Sequence, residues 1–429
     1  LNNPVIEVRA WGKLVGALAP DPKLGYYAFA YDRSWRRQGI ELAPIMMRVT
    51  DSRETFIFPS LPEATFRRLP AMFADALPDD FGNALIDAWM AEHGTTKLEV
   101  TTFDRLAYMG KRGMGALEFK PTLGSHRESA APLKMKSLVE EARRVVEGDL
   151  SANGHAKAAL ANIIRVGTSA GGARAKAVVA WNPETSQIRS GQFDIAPGFE
   201  PWIVKFDGIG EDFELGTGGD YGRTEYAYYK MATQAGIVMS PCRLLEENDR
   251  AHFMTRRFDR DVVRGTTTKH HVQTLCAMNH LDFKQRGTHA YSQLFMTVSQ
   301  LGLGDDAIQQ TFLRMAFNVM SRNCDDHTKN FCFLLRQGQS WELAPAYDIT
   351  HAHNPKGKWT CQHLMSVNGK FDGITRVDLL AEADRFSVPR KGELLRNVHA
   401  ALDNWTEHAK AAGLRQGKTD QLGRDFQLL

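Results

Sequence analysis

At 429 residues the chain is too long for one small core, so two or three lobes, each stable alone, are expected. With 43% hydrophobic and 24% charged residues it is not a disordered chain, and a net charge of +3 makes no case for a dedicated nucleic-acid binder, though it permits an acidic ligand or a DNA-bound partner. No apolar run is long enough to span a bilayer, residues 1–4 do not resemble a signal peptide, and five scattered cysteines (Cys242, Cys276, Cys324, Cys332, Cys361) without a C-x-x-C pair suit reduced thiols in a cytoplasm.

Residues 5–18 pattern as a hairpin turning at Trp11-Gly12-Lys13, followed by strands at Tyr26–Tyr31, Met46–Val49 and Thr55–Phe58. Helical spacing starts at Ala71-Met72-Phe73, pauses at Leu77-Pro78-Asp79-Asp80 and resumes from Phe81 to Met90. Thr102 opens another helix, and the glycines between Gly110 and Gly115 read as a turn into a strand ending at Phe119. Residues 1–120 are therefore expected to form a mixed α/β module, and the polar, proline-containing stretch 121–132 a linker.

Residues 133–255 are expected to form a nucleotide-binding part. Two helices, Leu133–Val146 and Ala156–Ile164, lead to Gly167-Thr168-Ser169-Ala170-Gly171-Gly172-Ala173-Arg174-Ala175-Lys176 and a strand at Ala177–Trp181. Small residues admit a phosphate to the backbone, and Arg174 and Lys176 supply counter-charge, but the segment is not a Walker A and, taken alone, reads more readily as a flexible turn. The strand Trp202–Phe206 carries Lys205, either an edge lysine or a phosphate contact. Thr224–Ala235 is helical with Gly236 after its end; Glu225 there is either a partner for Lys205 or an ordinary first-turn acid. A hairpin, Cys242–Leu245 with Ala251–Thr255, turns at Glu247-Asn248-Asp249, and Thr255–Asp259 is where a hinge would lie, offering main-chain groups of Arg256, Arg257 and Phe258 to an adenine ring.

Residues 256–429 read as a mainly helical catalytic lobe. Asp305-Asp306 are expected to cap a helix that delivers Cys324-Asp325-Asp326-His327-Thr328-Lys329-Asn330-Phe331. A hairpin, Phe331–Leu335 with Trp341–Leu343, then carries the chain to Ala346-Tyr347-Asp348. Asp-x-x-x-x-Asn followed by Asp after a hairpin is the spacing of a phosphotransfer site. Asp325 would accept a hydroxyl proton, Asn330 and Asp348 would hold Mg²⁺, Lys205 would contact ATP phosphates, and Lys329 the transferred group. His327 is either a nucleotide contact or a structural histidine. A metal-hydrolase cluster of Asp325, Asp326, His327, His351 and His353 is the chemical alternative, but lacks a recognised ligand motif. From Val377 onward amphipathic helix predominates.

Taken in order, Gly-Thr-Ser-Ala-Gly-Gly-Ala-Arg-Ala-Lys, Val-Lys-Phe, Arg-Arg-Phe-Asp-Arg, Asp-Asp-His-Thr-Lys-Asn-Phe and Leu-Ala-Pro-Ala-Tyr-Asp-Ile resemble the HipA family of bacterial serine/threonine kinases. The opening hairpin, Asp75-Ala76-Leu77-Pro78-Asp79 and Gly110–Phe119 extend the likeness across nearly the whole chain. The resemblance implies an α+β, two-lobed kinase-like fold and an ATP- and Mg²⁺-dependent toxin of a toxin–antitoxin pair. It further implies a translation component as substrate, such as an aminoacyl-tRNA synthetase. The implied partner is a helix-turn-helix antitoxin, which would bring the chain to operator DNA as a corepressor. Gly171, Gly172, Ala173, Arg174, Lys176, Lys205, Arg256, Arg257, Phe258, His327, Lys329, Asn330, Tyr347 and Asp348 would contact ATP, and Ser169, beside Thr168, would be the self-phosphorylated residue that shuts the loop. Arg256 departs from the pattern, standing where an acidic hinge residue is expected. A different class of function, a DNA-bound corepressor whose catalysis is incidental, is the alternative.

Overall fold

The computed structural model describes residues 5–78, 80–123, 175–192, 194–207, 219–247, 250–263 and 265–429. The helices expected at Leu133–Val146 and Ala156–Ile164, the loop Gly167–Arg174 with Ser169, and most of the linker lie outside the described residues.

Strict alternation builds the first sheet: Ile6, Val8 and Ala10 are fully buried while Glu7 points out. Strands β1 (Ile6–Ala10), β2 (Lys13–Pro20), β3 (Tyr27–Tyr31) and β4 (Leu117–Lys120) pair antiparallel in the order β3-β2-β1-β4. Helices α1 (Arg33–Gln38), α2 (Glu63–Phe66), α3 (Ala71–Ala74), α4 (Asp80–Glu92) and α5 (Thr102–Met109) share its core, centred on Phe29, Phe56, Phe73 and Phe119. Two expected strands are absent. Met46–Val49 is a run of turns whose Met47 and Val49 still plug the core, because the Val49 amide donates to the Glu41 carboxylate and not to a ladder partner. Thr55–Phe58 reduces to a single bridge between Phe56 and Phe29.

The second sheet comprises β5 (Lys176–Trp181), β6 (Ile188–Ser190), β7 (Glu200–Lys205), β8 (Cys242–Glu247) and β9 (Arg250–Arg256), antiparallel in the order β6-β5-β7-β9-β8. Helix α6 (Tyr221–Gln234) lies directly on β9. Only a glycine permits this: a Cβ on Gly222 would sit 1.9 Å from the Ala251 carbonyl oxygen. The opposite face of α6 is anchored in the helical lobe, where fully buried Tyr228 donates to the Ser321 carbonyl at 2.6 Å.

Beyond β9 run a ribbon, β10 (Arg260–Val263) and β11 (Thr266–Lys269), then β12 (His271–Thr274), α7 (Leu275–Met278), the short β13 (His289–Ala290), α8 (Tyr291–Gln300) and α9 (Gly304–Ser321). A 3-10 turn at Thr328–Asn330 precedes β14 (Cys332–Leu335) and β15 (Trp341–Leu343), which complete a small sheet with β12. Strand β16 (Met365–Ser366) pairs parallel with β13, and α10 (Arg376–Arg385), α11 (Lys391–Asp403), α12 (Trp405–Ala411) and α13 (Gln416–Gly423) close the lobe. The architecture is thus α+β, strand-rich first and mainly helical after. Asp305 and Asp306 sit in the first turn of α9, where the helix dipole favours them, but neither caps it; Leu303 holds the cap position without a side-chain bond.

A buried carboxylate is one of the staples between the first module and the rest. Asp259 accepts from Arg257 at 2.8 and 2.9 Å, from Arg260 at 2.7 Å and from the Gly115 amide at 2.8 Å, while Arg260 also donates to the Gly113 carbonyl. Gly115 has φ +80°, and a Cβ there would press on the Val272 amide at 3.1 Å, so the glycine-rich turn serves a close contact between modules. Burial opposes ionisation of Asp259, but the two guanidiniums outweigh it and hold its pKa far below the usual range. Asp259→Asn leaves two buried guanidiniums without their counter-charge and is expected to cost about 3–5 kcal/mol in urea unfolding, as for other broken buried pairs.

Candidate active site

The C-terminal end of β7 points Lys205 into the space between the second sheet and the catalytic loop. Its ammonium donates to Glu225 Oε1 at 2.5 Å and also to Asp348, so β7, α6 and the segment after β15 meet at one nitrogen. Glu225 is almost wholly buried, placed by the close seating of α6 that Gly222 allows. Burial alone would lower the Lys205 pKa; the Asp348 and Glu225 charges reverse that and raise it above the usual lysine value. Lys176 stands opposite Lys205 in the β5–β7 register. Burial would raise the Asp348 pKa, yet the charges of Lys205 and Lys176 lower it, leaving a carboxylate with two lysines beside it. Asp348 has φ +52°, a left-handed conformation uncommon for a side chain other than glycine and found where surrounding structure dictates the aim of a carboxylate.

Asp325 opens to this space with 40% of its side chain exposed. The Asn330 amide nitrogen donates to the Asp325 backbone carbonyl at 2.6 Å, which closes the loop and turns the Asn330 side chain back onto the same residue. His327 Nε2 lies 3.9 Å from Asp325 Oδ1, and its ring packs edge-on against Phe283. His327 Nδ1 is buried with no hydrogen-bond partner among the described residues. Surrounding protein raises the Asp325 pKa, with Asp348 and Asp326 adding to the rise and His327 and Trp359 opposing it. Lys329 lies over the Phe283 ring at 4.8 Å, and the Tyr347 hydroxyl donates to its carbonyl at 2.5 Å.

The hinge residues separate. Phe258 stacks on Tyr347 with centroids 6.0 Å apart, facing the site. Arg256 is 42% exposed and 3.6 Å from Glu200. Arg257 is turned away into the Asp259 pair at 1% exposure, so its side chain does not join the site that the sequence reading assigned it to. The backbone amides of Arg256 and Arg257 donate to Pro241 and Pro201, because β9 lies between β8 and β7 and continues its pairing with each up to this point. Gly171, Gly172, Ala173 and Arg174 fall outside the described residues.

Asp326 does not share the role of its neighbour. It is 1% exposed and accepts from the Tyr291 hydroxyl at 2.8 Å, His363 Nδ1 at 2.9 Å and the Leu364 amide at 2.7 Å. His351 and His353 face Asp425 on another side of the lobe. The side chains of the hydrolase alternative therefore disperse, and among the described residues no three His, Cys, Asp or Glu side chains converge as a metal cage. Asp348 and the Asn330 amide oxygen still fit Mg²⁺, which takes few protein oxygens and completes its shell with phosphates and water. His363, and Trp359 donating to Asp325 Oδ1 at 2.9 Å, escaped the sequence reading, since no local spacing ties them to the catalytic loop.

Burial would lower the His363 pKa from 6.5, but Asp326 raises it to about 10. Folding therefore favours the imidazolium, so the pair stabilises fully below pH 6.5 and that stability drains as pH rises through about 10. Urea unfolding at pH 6, 8 and 10 is expected to show the wild type losing its advantage over His363→Gln across that window.

Residues 6–120 match the model of the HipA N-terminal domain, and residues 168–413 that of the HipA-like C-terminal domain. The fold is similar to HipA of Shewanella oneidensis MR-1, solved with HipB and its operator DNA, with TM-score 0.66 and 17% identity over 98% of this chain and 94% of that one. A weaker likeness, TM-score 0.34 and 10% identity, covers 54% of this chain and 90% of the Helicobacter pylori proinflammatory kinase CtkA. No curated protein sequence matches. With both domain models in their order along it, the chain belongs to the HipA family.

Proposed function

We propose that the chain is an ATP- and Mg²⁺-dependent serine/threonine protein kinase acting as the toxin of a toxin–antitoxin pair. The observation that carries this reading is the Lys205–Glu225 ion pair with Asp348 on the same ammonium, Asp348 in turn lining one pocket with Asn330 and standing within electrostatic reach of Asp325. A lysine positioned by two carboxylates is the kind of cation that contacts nucleotide phosphates.

In this reading Lys205 and Lys176 neutralise phosphate charge, with Glu225 fixing the reach of Lys205. Asp325 accepts the proton of the acceptor hydroxyl, and its raised pKa brings it nearer the value a general base needs. Asp348 and Asn330 would hold Mg²⁺, which supplies charge neutralisation at the phosphates. His327 borders Asp325, Lys329 and Arg256 would be further nucleotide contacts, and Phe258 stacked on Tyr347 would form an aromatic wall for the adenine. Nucleotide entry would require Asp348 to exchange Lys205 for the metal.

Phosphorylation of Ser169 would place about two negative charges where ATP phosphates belong and shut the site. The substrate would be a component of translation, the place of action the cytoplasm, and no helix among the described residues is long and apolar enough to cross a membrane. The Shewanella complex supports a HipB-like helix-turn-helix antitoxin and operator DNA as partners, with corepression as a second role of the same chain.

Intact-mass measurement after incubation with ATP and Mg²⁺ tests the enzyme class: one added phosphate is expected on the wild type and none on Ser169→Ala. Asp325→Ala is expected to abolish phosphorylation and toxicity while sparing any corepression; full toxicity of that variant would sink the kinase account of the toxin.

A further inference from the structure

The segment after Asp348 returns to the catalytic loop at two adjacent residues. At depth, His363 and the Leu364 amide bind Asp326. Nearer the surface, Trp359 Nε1 donates to Asp325 Oδ1 at 2.9 Å. Between the two anchors Thr360 is buried, and Cys361 Sγ lies 3.4 Å from Arg286. The indole is thus delivered to Asp325 by a strap already pinned to the neighbouring residue, and is not a loose surface ring.

An aspartate carboxylate rotates over a broad range about its last bond. A hydrogen bond at Oδ1 restricts its plane, and the 40% exposure of the side chain leaves the carboxylate open to an acceptor hydroxyl. The indole N–H is a donor only, so it can neither take the substrate proton nor return one. A lysine or histidine in the same place would change its charge with pH or compete as a base.

We infer that Trp359 is a positioning residue for phosphoryl transfer, its indole N–H clamping Asp325 Oδ1 so that Oδ2 faces the acceptor hydroxyl. The inference rests on the kinase reading above and adds to it a residue that no motif marks.

The test is Trp359→Phe, which keeps an aromatic ring and removes the donor, in the full chain. Initial rates of ADP release from Mg²⁺-ATP with dephosphorylated casein as acceptor are measured beside nucleotide affinity by calorimetry and the thermal melt. The expected result is a fall in kcat of about tenfold or more, as for small misplacements of a catalytic group, with KM for ATP, nucleotide affinity and melting temperature close to wild type. An unchanged kcat overturns the inference alone. Loss of ATP affinity in step with kcat, or loss of the cooperative melt, assigns the indole a purely structural role and overturns it too. A phosphatase-treated wild-type chain that neither releases ADP nor gains a phosphate by intact mass overturns the kinase reading, and the inference with it.

Discussion

Much of this molecule is arranged around a single ammonium group. Lys205 leaves the end of β7, and the two carboxylates that hold it come from α6 and from the segment beyond β15. Three elements far apart in sequence are thereby brought to one point, and each is fixed by its own constraint. Strand β7 is central in its sheet, α6 is pressed onto β9 at Gly222, and Tyr228 ties α6 to the end of α9. Glu225 therefore cannot swing out without unseating a helix that is buried on both sides.

Beneath the cleft, neighbouring aspartates divide the work of holding and reacting. Asp325 keeps solvent and stands at the site, whereas Asp326 is sunk into the lobe with a histidine, a tyrosine and a backbone amide. A side chain bonded this fully sets the loop conformation, so its neighbour is aimed by the core and not by the surface. The first module contributes as well. Asp75 accepts from the Thr274 amide and hydroxyl at the start of α7, and the Thr328 hydroxyl donates to the carbonyl of Leu281 just beyond that helix. Burial raises the Asp75 pKa and the charge of Lys329 opposes the rise, which places the carboxylate within electrostatic reach of the catalytic loop. The N-terminal module is in this sense a foundation for the site and not an independent appendage.

Residue spacing was most informative where chemistry is local. Asp325 to Asn330 closes on itself through one amide–carbonyl bond, and hairpins, helix starts and the run of C-terminal helices follow from alternation, capping and period. The reading failed where partners are remote. Met46–Val49 has strand-like residues but satisfies its backbone through a glutamate side chain. Arg257 looks like a hinge contact, but Asp259, two residues away, takes its charge into the interior.

What the sequence by itself determined is the residue types of the candidate site, their order, and the family. A spacing of a few residues within one loop limits geometry tightly, and the order of the motifs records how the chain must wind. What only the tertiary structure decided is pairing across distance: Lys205 with Asp348, Asp326 with His363, Trp359 with Asp325, and Asp259 with Gly115. The physical reason is that hydrogen bonds and ion pairs act over a few ångströms. Whether residues tens of positions apart come within that range depends on the packing of whole helices and sheets, not on any local period.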